Sequence, residues 1–85
     1  MDIKKLKAAE KKIEKIFNEH EFYYQWFTDF ETGEFAVVVE YGDWKKDHIA
    51  LDYVMTHNGF KKVDEIVTRE DGSDCYDSTH YFKKK

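Results

Sequence analysis

The groups with which this chain can do chemistry are four histidines, one cysteine and eighteen carboxylates. As metal ligands the candidates are His20, His48, His57, Cys75 and His80, with Asp71, Asp74 and Asp77 beside them. Zinc sites usually announce themselves by close pairs such as C-x2-C or H-x3-H, because a short spacing on one element aims two donors at one point. The chain has no such pair. Cys75 and His80 are five apart on one expected strand, so alternation sends them to opposite sides of a sheet. The Asp71-Gly72-Ser73-Asp74 loop has the composition of a calcium loop without its length or its closing Glu. No metal site and no cofactor are expected.

Catalysis has no better footing. Cys75 as a nucleophile needs a base such as His57 or His80 beside it. Parity removes His80, and buried cysteines more often pack as small hydrophobes. Glu65, Ser78 and His80 share a face and bring together acid, hydroxyl and imidazole. That face should lie beneath the helices, beyond a substrate's reach, so a hydrogen-bonded polar pocket in the core is expected instead. The glycines, Gly33, Gly42, Gly59 and Gly72, all fall at element boundaries, leaving none for a phosphate-cradling loop. No catalytic residue is named, and the chain is read as non-enzymatic.

Charge narrows the partners. The net charge of −4 hides an asymmetry: residues 1–18 carry +3, residues 83–85 another +3, and residues 19–82 carry −10. An acidic middle repels phosphate backbones, so direct nucleic-acid binding is disfavoured. Sheet aromatics serve as base-stacking platforms only within a basic groove, and none is evident. A single cysteine cannot form an internal disulfide. There is no apolar leader segment and no run approaching a membrane span, so a cytoplasmic protein with no membrane partner is expected.

The elements that must position these groups are legible from periodicity. Residues 3–18 read as an amphipathic helix, with Ile3, Leu6, Ala9, Ile13 and Ile16 recurring at three- and four-residue steps and Asp2 as N-cap. Residues 21–41 read as a hairpin turning at Thr32-Gly33. A two-residue loop pairs Phe30 with Phe35, Thr28 with Val37, Trp26 with Val39 and Tyr24 with Tyr41, all on one face. Residues 44–58 read as a second helix, capped by Asp43, with Trp44, His48, Leu51 and Met55 on one stripe and a stop at Asn58-Gly59. Residues 60–69 and 74–82 read as a second hairpin around Asp71-Gly72, in which Val67 faces Tyr76, Glu65 faces Ser78 and Val63 faces His80. Its core face is taken to hold Val63, Val67, Tyr76 and His80, with Phe60, Ile66, Cys75, Thr79 and Tyr81 opposite. Residues 83–85 read as a frayed tail.

The result is one α+β domain of order αββαββ, spanning residues 1–85 in two helix–hairpin halves, about 1–41 and 42–82. Its four-stranded antiparallel sheet carries both helices on one face. The order is that of a ferredoxin-like unit with its first strand moved to the end, an analogy that carries no function.

Two helices cover only one side of a sheet. Tyr23, Phe27, Ala36 and Val38 point the other way, joined by Ile66, Cys75 and Tyr81. Contiguous exposed apolar patches mark interfaces, and aromatics dominate interface hot spots. The first functional reading is therefore a protein–protein interaction module, with Tyr23, Phe27, Val38 and Tyr81 as anchors and a protein partner or a second copy in a homodimer as the occupant. The alternative uses the acidity: carboxylates such as Glu31, Glu34 and Asp74 imitating phosphates to block a nucleic-acid-binding protein. In size and composition only, with no motif to carry it, the chain is similar to many phage-encoded inhibitors of host defence. A third reading is a small metal- or ligand-binding protein.

Overall fold

A computed structural model describes residues 2–70 and 74–85 of the chain. It contains α1 (Ile3–His20), β1 (Gln25–Asp29), β2 (Glu34–Asp43), a π-helical segment (Trp44–Ile49) running into α2 (Ala50–Thr56), β3 (Phe60–Glu70) and β4 (Cys75–Lys84). The sheet is antiparallel throughout, in the order β1-β2-β4-β3. This is the expected α+β architecture of two helical elements and four strands. The Asp71-Gly72 turn lies outside the described residues.

The first helix forms for the reasons its residue types supply. Asp2 accepts a bond from the Lys4 N–H at 3.0 Å, closing the N-terminus. Leu6, Ala9, Ile13, Ile16 and Phe17 are buried in one stripe. Glu21 ends the helix with a left-handed φ of 55°, its N–H directed at the Phe17 and Asn18 carbonyls. The stripe packs on Phe35, Val37 and Val39 of β2, on Leu51 and Met55 of α2, and on Phe60 and Phe82 from the second hairpin. Phe35 and Phe60 meet edge to face at 5.8 Å. Burying a side chain of this size stabilises the fold by about 1.5–3 kcal/mol, so three fully buried phenylalanines are a large share of a small core.

Several expectations are corrected. The first hairpin's pairs are Trp26–Val37 and Thr28–Phe35, and Phe30 lies in the turn, 42% exposed. Asp29 draws the turn wide by accepting the Glu31 N–H at 2.9 Å, and Gly33, at φ 76°, donates to the Asp29 carbonyl at 2.8 Å. The register therefore slips by two residues, which preserves every side chain's face. Residues 21–24 precede β1 rather than belonging to it.

The second hairpin departs further. Val63 and Thr68 are extra residues in β3 opposite an uninterrupted β4. Each bulge inverts the alternation downstream. Glu65 thus pairs with His80 rather than Ser78, and Val67 with Ser78 rather than Tyr76. Phe60, expected opposite the core, is fully buried, whereas Val63 and Val67 are 39% and 48% exposed. Lys83 and Lys84 continue β4, so the expected frayed tail begins no earlier than Lys85.

The second helix opens with a π-helical segment capped by Asp43, which accepts from the Lys45 and Lys46 N–H groups. It ends at Thr56, two residues earlier than the spacing predicts. A bulge in β2 sets Glu40 and Tyr41 against Asp77 and brings Gly42 beneath this segment. A Cβ on Gly42 would lie 2.6 Å from Val39 Cγ1 and 3.1 Å from His48 Nε2. Glycine is the residue that lets His48 approach the sheet.

Candidate functional site

Two places on the molecule gather chemistry-bearing residues. The first is the uncovered side of the sheet. Phe27, Ala36, Tyr81 and Asp64 form one row across β1, β2, β4 and β3, and Gln25, Val38, Thr79 and Ile66 form the next. Phe27 is 56% and Ile66 49% exposed, yet Ala36, outward-facing between Phe27 and Tyr81, is only 4% exposed. A small side chain flanked by two rings is roofed by them. Tyr23, 89% exposed just before β1, shares a shallow depression with Val38, Gln25 and Glu40. All four expected anchors, Tyr23, Phe27, Val38 and Tyr81, thus belong to one side of the sheet.

A third row on this side is charged. Asp29, Glu34, Lys83 and Lys61 stand side by side, acidic on β1 and β2 and basic on β4 and β3. The acidic candidates do not converge. Glu31 is in the β1–β2 turn and Glu34 begins β2, while Asp74 adjoins the other end of β2, where Asp43 pairs with Cys75. Cys75 is half-buried on the side opposite His80, as parity predicts.

The second place is a buried polar network between α2 and the second hairpin. His48, from the π-helical segment, and His80, from β4, are both fully buried and stack with centroids 5.1 Å apart. His48 Nδ1 lies 2.8 Å from His80 Nε2, and His48 Nε2 lies 3.0 Å from the Tyr76 carbonyl. His80 Nδ1 faces Asp52 Oδ1 at 2.8 Å and Glu65 Oε1 at 3.1 Å. Lys62 donates to both Asp52 and Glu65, closing the ring of charges. Trp44 stacks on the far side of His48 at 5.3 Å.

The partners dictate the protons. Both ends of this chain, the Tyr76 carbonyl and the two carboxylates, only accept. The end nitrogens, His48 Nε2 and His80 Nδ1, therefore donate to them. Burial pushes the Asp52 carboxyl up, but its bonds to His80 and Lys62 and their charges outweigh this and hold it below the usual carboxylate range. Burial likewise pulls the Lys62 ammonium down, and the bonds and charges of Asp52 and Glu65 raise it above its ordinary value.

Nearby, burial raises the Tyr24 hydroxyl above its ordinary range, reinforced by its 2.7 Å bond to Asp47 and that carboxylate's charge. The backbone N–H of Lys46 and then that of Lys45 hold the Asp43 carboxyl low, as suits an N-cap. Ser78 does not complete an acid–hydroxyl–imidazole set: its Oγ is buried without a hydrogen-bond partner.

Glu65 and His80 thus share a face, and a polar pocket forms there, as alternation along the strands predicts. Asp52 and Lys62 are members that alternation does not reveal. The signal for Asp52 is its place four residues after His48, one helical turn on. Asp52, Glu65 and His80 are also, among the described residues, a group whose donor atoms all lie within 4.8 Å of one another. No helix among the described residues is long and apolar enough to cross a membrane. No family model, curated protein or solved structure matches the chain.

Proposed function

We propose that the chain is a non-enzymatic interaction module whose uncovered sheet side docks a second copy of itself. The observation that carries this reading is the charged row. A twofold axis between two copies, parallel to the strands, sets β1 over the other copy's β3 and β2 over its β4. Asp29 then faces Lys61 and Glu34 faces Lys83, twice over, as an isologous interface requires. The same operation sets Ala36 opposite Tyr81, Val38 opposite Thr79, Gln25 opposite Ile66 and Phe27 opposite Asp64. Sheets pack face to face with their strands within about 30° of alignment, compatible with this arrangement.

The size of the face sets the strength. Four strands about 4.8 Å apart and three rows about 6.8 Å apart span roughly 400 Å² on each copy. That is about half of a standard interface, the size class of weak, transient contacts. Light scattering on variants tests the reading. Phe27→Asp should leave the fold intact and abolish self-association. Lys83→Glu should weaken it, and adding Glu34→Lys should restore it. Phe27→Asp associating like the parent chain would overturn the proposal.

A further inference from the structure

Beneath α2, His80 Nδ1 meets Asp52 Oδ1 and Glu65 Oε1 at 2.8 and 3.1 Å, and the three donor atoms all lie within 4.8 Å of one another. We propose that this position is a binding site for a divalent transition cation of the zinc class, with His80 Nδ1, Asp52 Oδ1 and Glu65 Oε1 as ligands. Tetrahedral zinc bonds of about 2.0–2.2 Å put neighbouring ligand atoms roughly 3.3–3.6 Å apart. The two separations from His80 Nδ1, 2.8 and 3.1 Å, open by a few tenths of an ångström to admit the ion. An imidazole beside two carboxylates suits zinc and its neighbours, whereas calcium and magnesium take oxygen ligands.

Three further features point the same way. The outer support of a ligating histidine is already built. With the cation on His80 Nδ1, its Nε2–H donates to His48 Nδ1, and the His48 Nε2–H donates to the Tyr76 carbonyl. Both rings are then neutral and every link is kept, which is how ligating histidines are held in orientation. The cation takes the place of the proton that His80 Nδ1 otherwise donates. The site also already accommodates a positive charge, since the Lys62 ammonium bridges the two carboxylates. Finally, the carboxylate side chains are 24% and 17% exposed while His80 is fully buried, so an ion can enter from the rim and keep water in its open position. Lys62, itself partly exposed, swings aside. A bound ion would tie α2 to both strands of the second hairpin.

The test is zinc titration of chelator-stripped protein by calorimetry, with cobalt absorption as a second readout. One ion per chain is expected. Asp52→Asn should weaken binding about tenfold or more, and Lys62→Met, which removes the competing ammonium, should tighten it about tenfold. His57→Gln, on an exposed ring away from the cluster, should change nothing. His80→Gln should abolish the cobalt spectrum, with circular dichroism to confirm the fold. Should His80→Gln unfold, Asp52→Asn and Lys62→Met decide the matter. The proposal is overturned if neither parent nor Lys62→Met protein shows saturable binding below about 100 µM. It is equally overturned if binding is indifferent to Asp52→Asn.

Discussion

Replacing His48 with leucine removes one ring from a fully buried two-ring chain and nothing from the surface. Leucine fills similar space and carries no polar atom. The change deletes the 2.8 Å link to His80 Nε2 and the 3.0 Å link to the Tyr76 carbonyl. His80 Nε2 then loses its hydrogen-bond partner inside the protein. An orphaned buried polar group costs about 1–3 kcal/mol, more where charge is involved, so a loss of about 2–4 kcal/mol is expected. A chain of this length has about 4–13 kcal/mol in all. Urea denaturation followed by circular dichroism measures the loss. Trp44, stacked on His48, adds a local fluorescence signal. The double variant His48→Leu/His80→Leu should be more stable than the sum of the single losses implies, by about 1 kcal/mol or more, because partners in one chain couple. A single-variant loss below about 0.5 kcal/mol, or strict additivity, would refute the hydrogen-bond accounting.

Gly42→Ala should cost about 1–3 kcal/mol by denaturant melting, because its methyl meets Val39, whose Cγ1 would be 2.6 Å away, and crowds His48. Ser78→Ala, which removes a buried hydroxyl with no partner, should raise stability by up to about 1 kcal/mol in the same assay. Asp52 titrates lower when folded than when unfolded, so its contribution is complete above the ordinary carboxylate value and fades as pH falls through the lowered one. In chelator-treated buffer Asp52→Asn should therefore lower stability at neutral pH and flatten its decline below about pH 4. An unchanged acid limb would contradict that linkage.

The fold is legible in the sequence wherever a local irregularity announces itself. The α1 stripe from Leu6 onward and the caps at Asp2 and Asp43 rest on residue types with a direct mechanism and are present, whereas Ile3, expected in the stripe, is 55% exposed at the helix's first residue. The first hairpin's loop is two residues longer than Thr32-Gly33 suggests, yet side-chain faces survive because alternation has period two. The second hairpin has no such protection. Its bulges at Val63 and Thr68 occur at β-branched residues with no glycine or proline to mark them, and each one inverts the face of the residues beyond it. Phe60 is buried against expectation for that reason. The buried network is half legible, through Glu65 and His80. Asp52 and Lys62 stay hidden because a charged residue on a helix or strand reads as solvated until its partners are known. The outer anchors come from counting helices against sheet faces, and irregular registers do not disturb that count.

The most direct test of the docking account is sedimentation velocity on the unmodified chain from about 1 to 100 µM. The account predicts a reversible, concentration-dependent shift from the 10.3 kDa chain toward twice that mass, weakened by salt because Asp29–Lys61 and Glu34–Lys83 contacts are at its rim. A single species of chain mass at every concentration would contradict it.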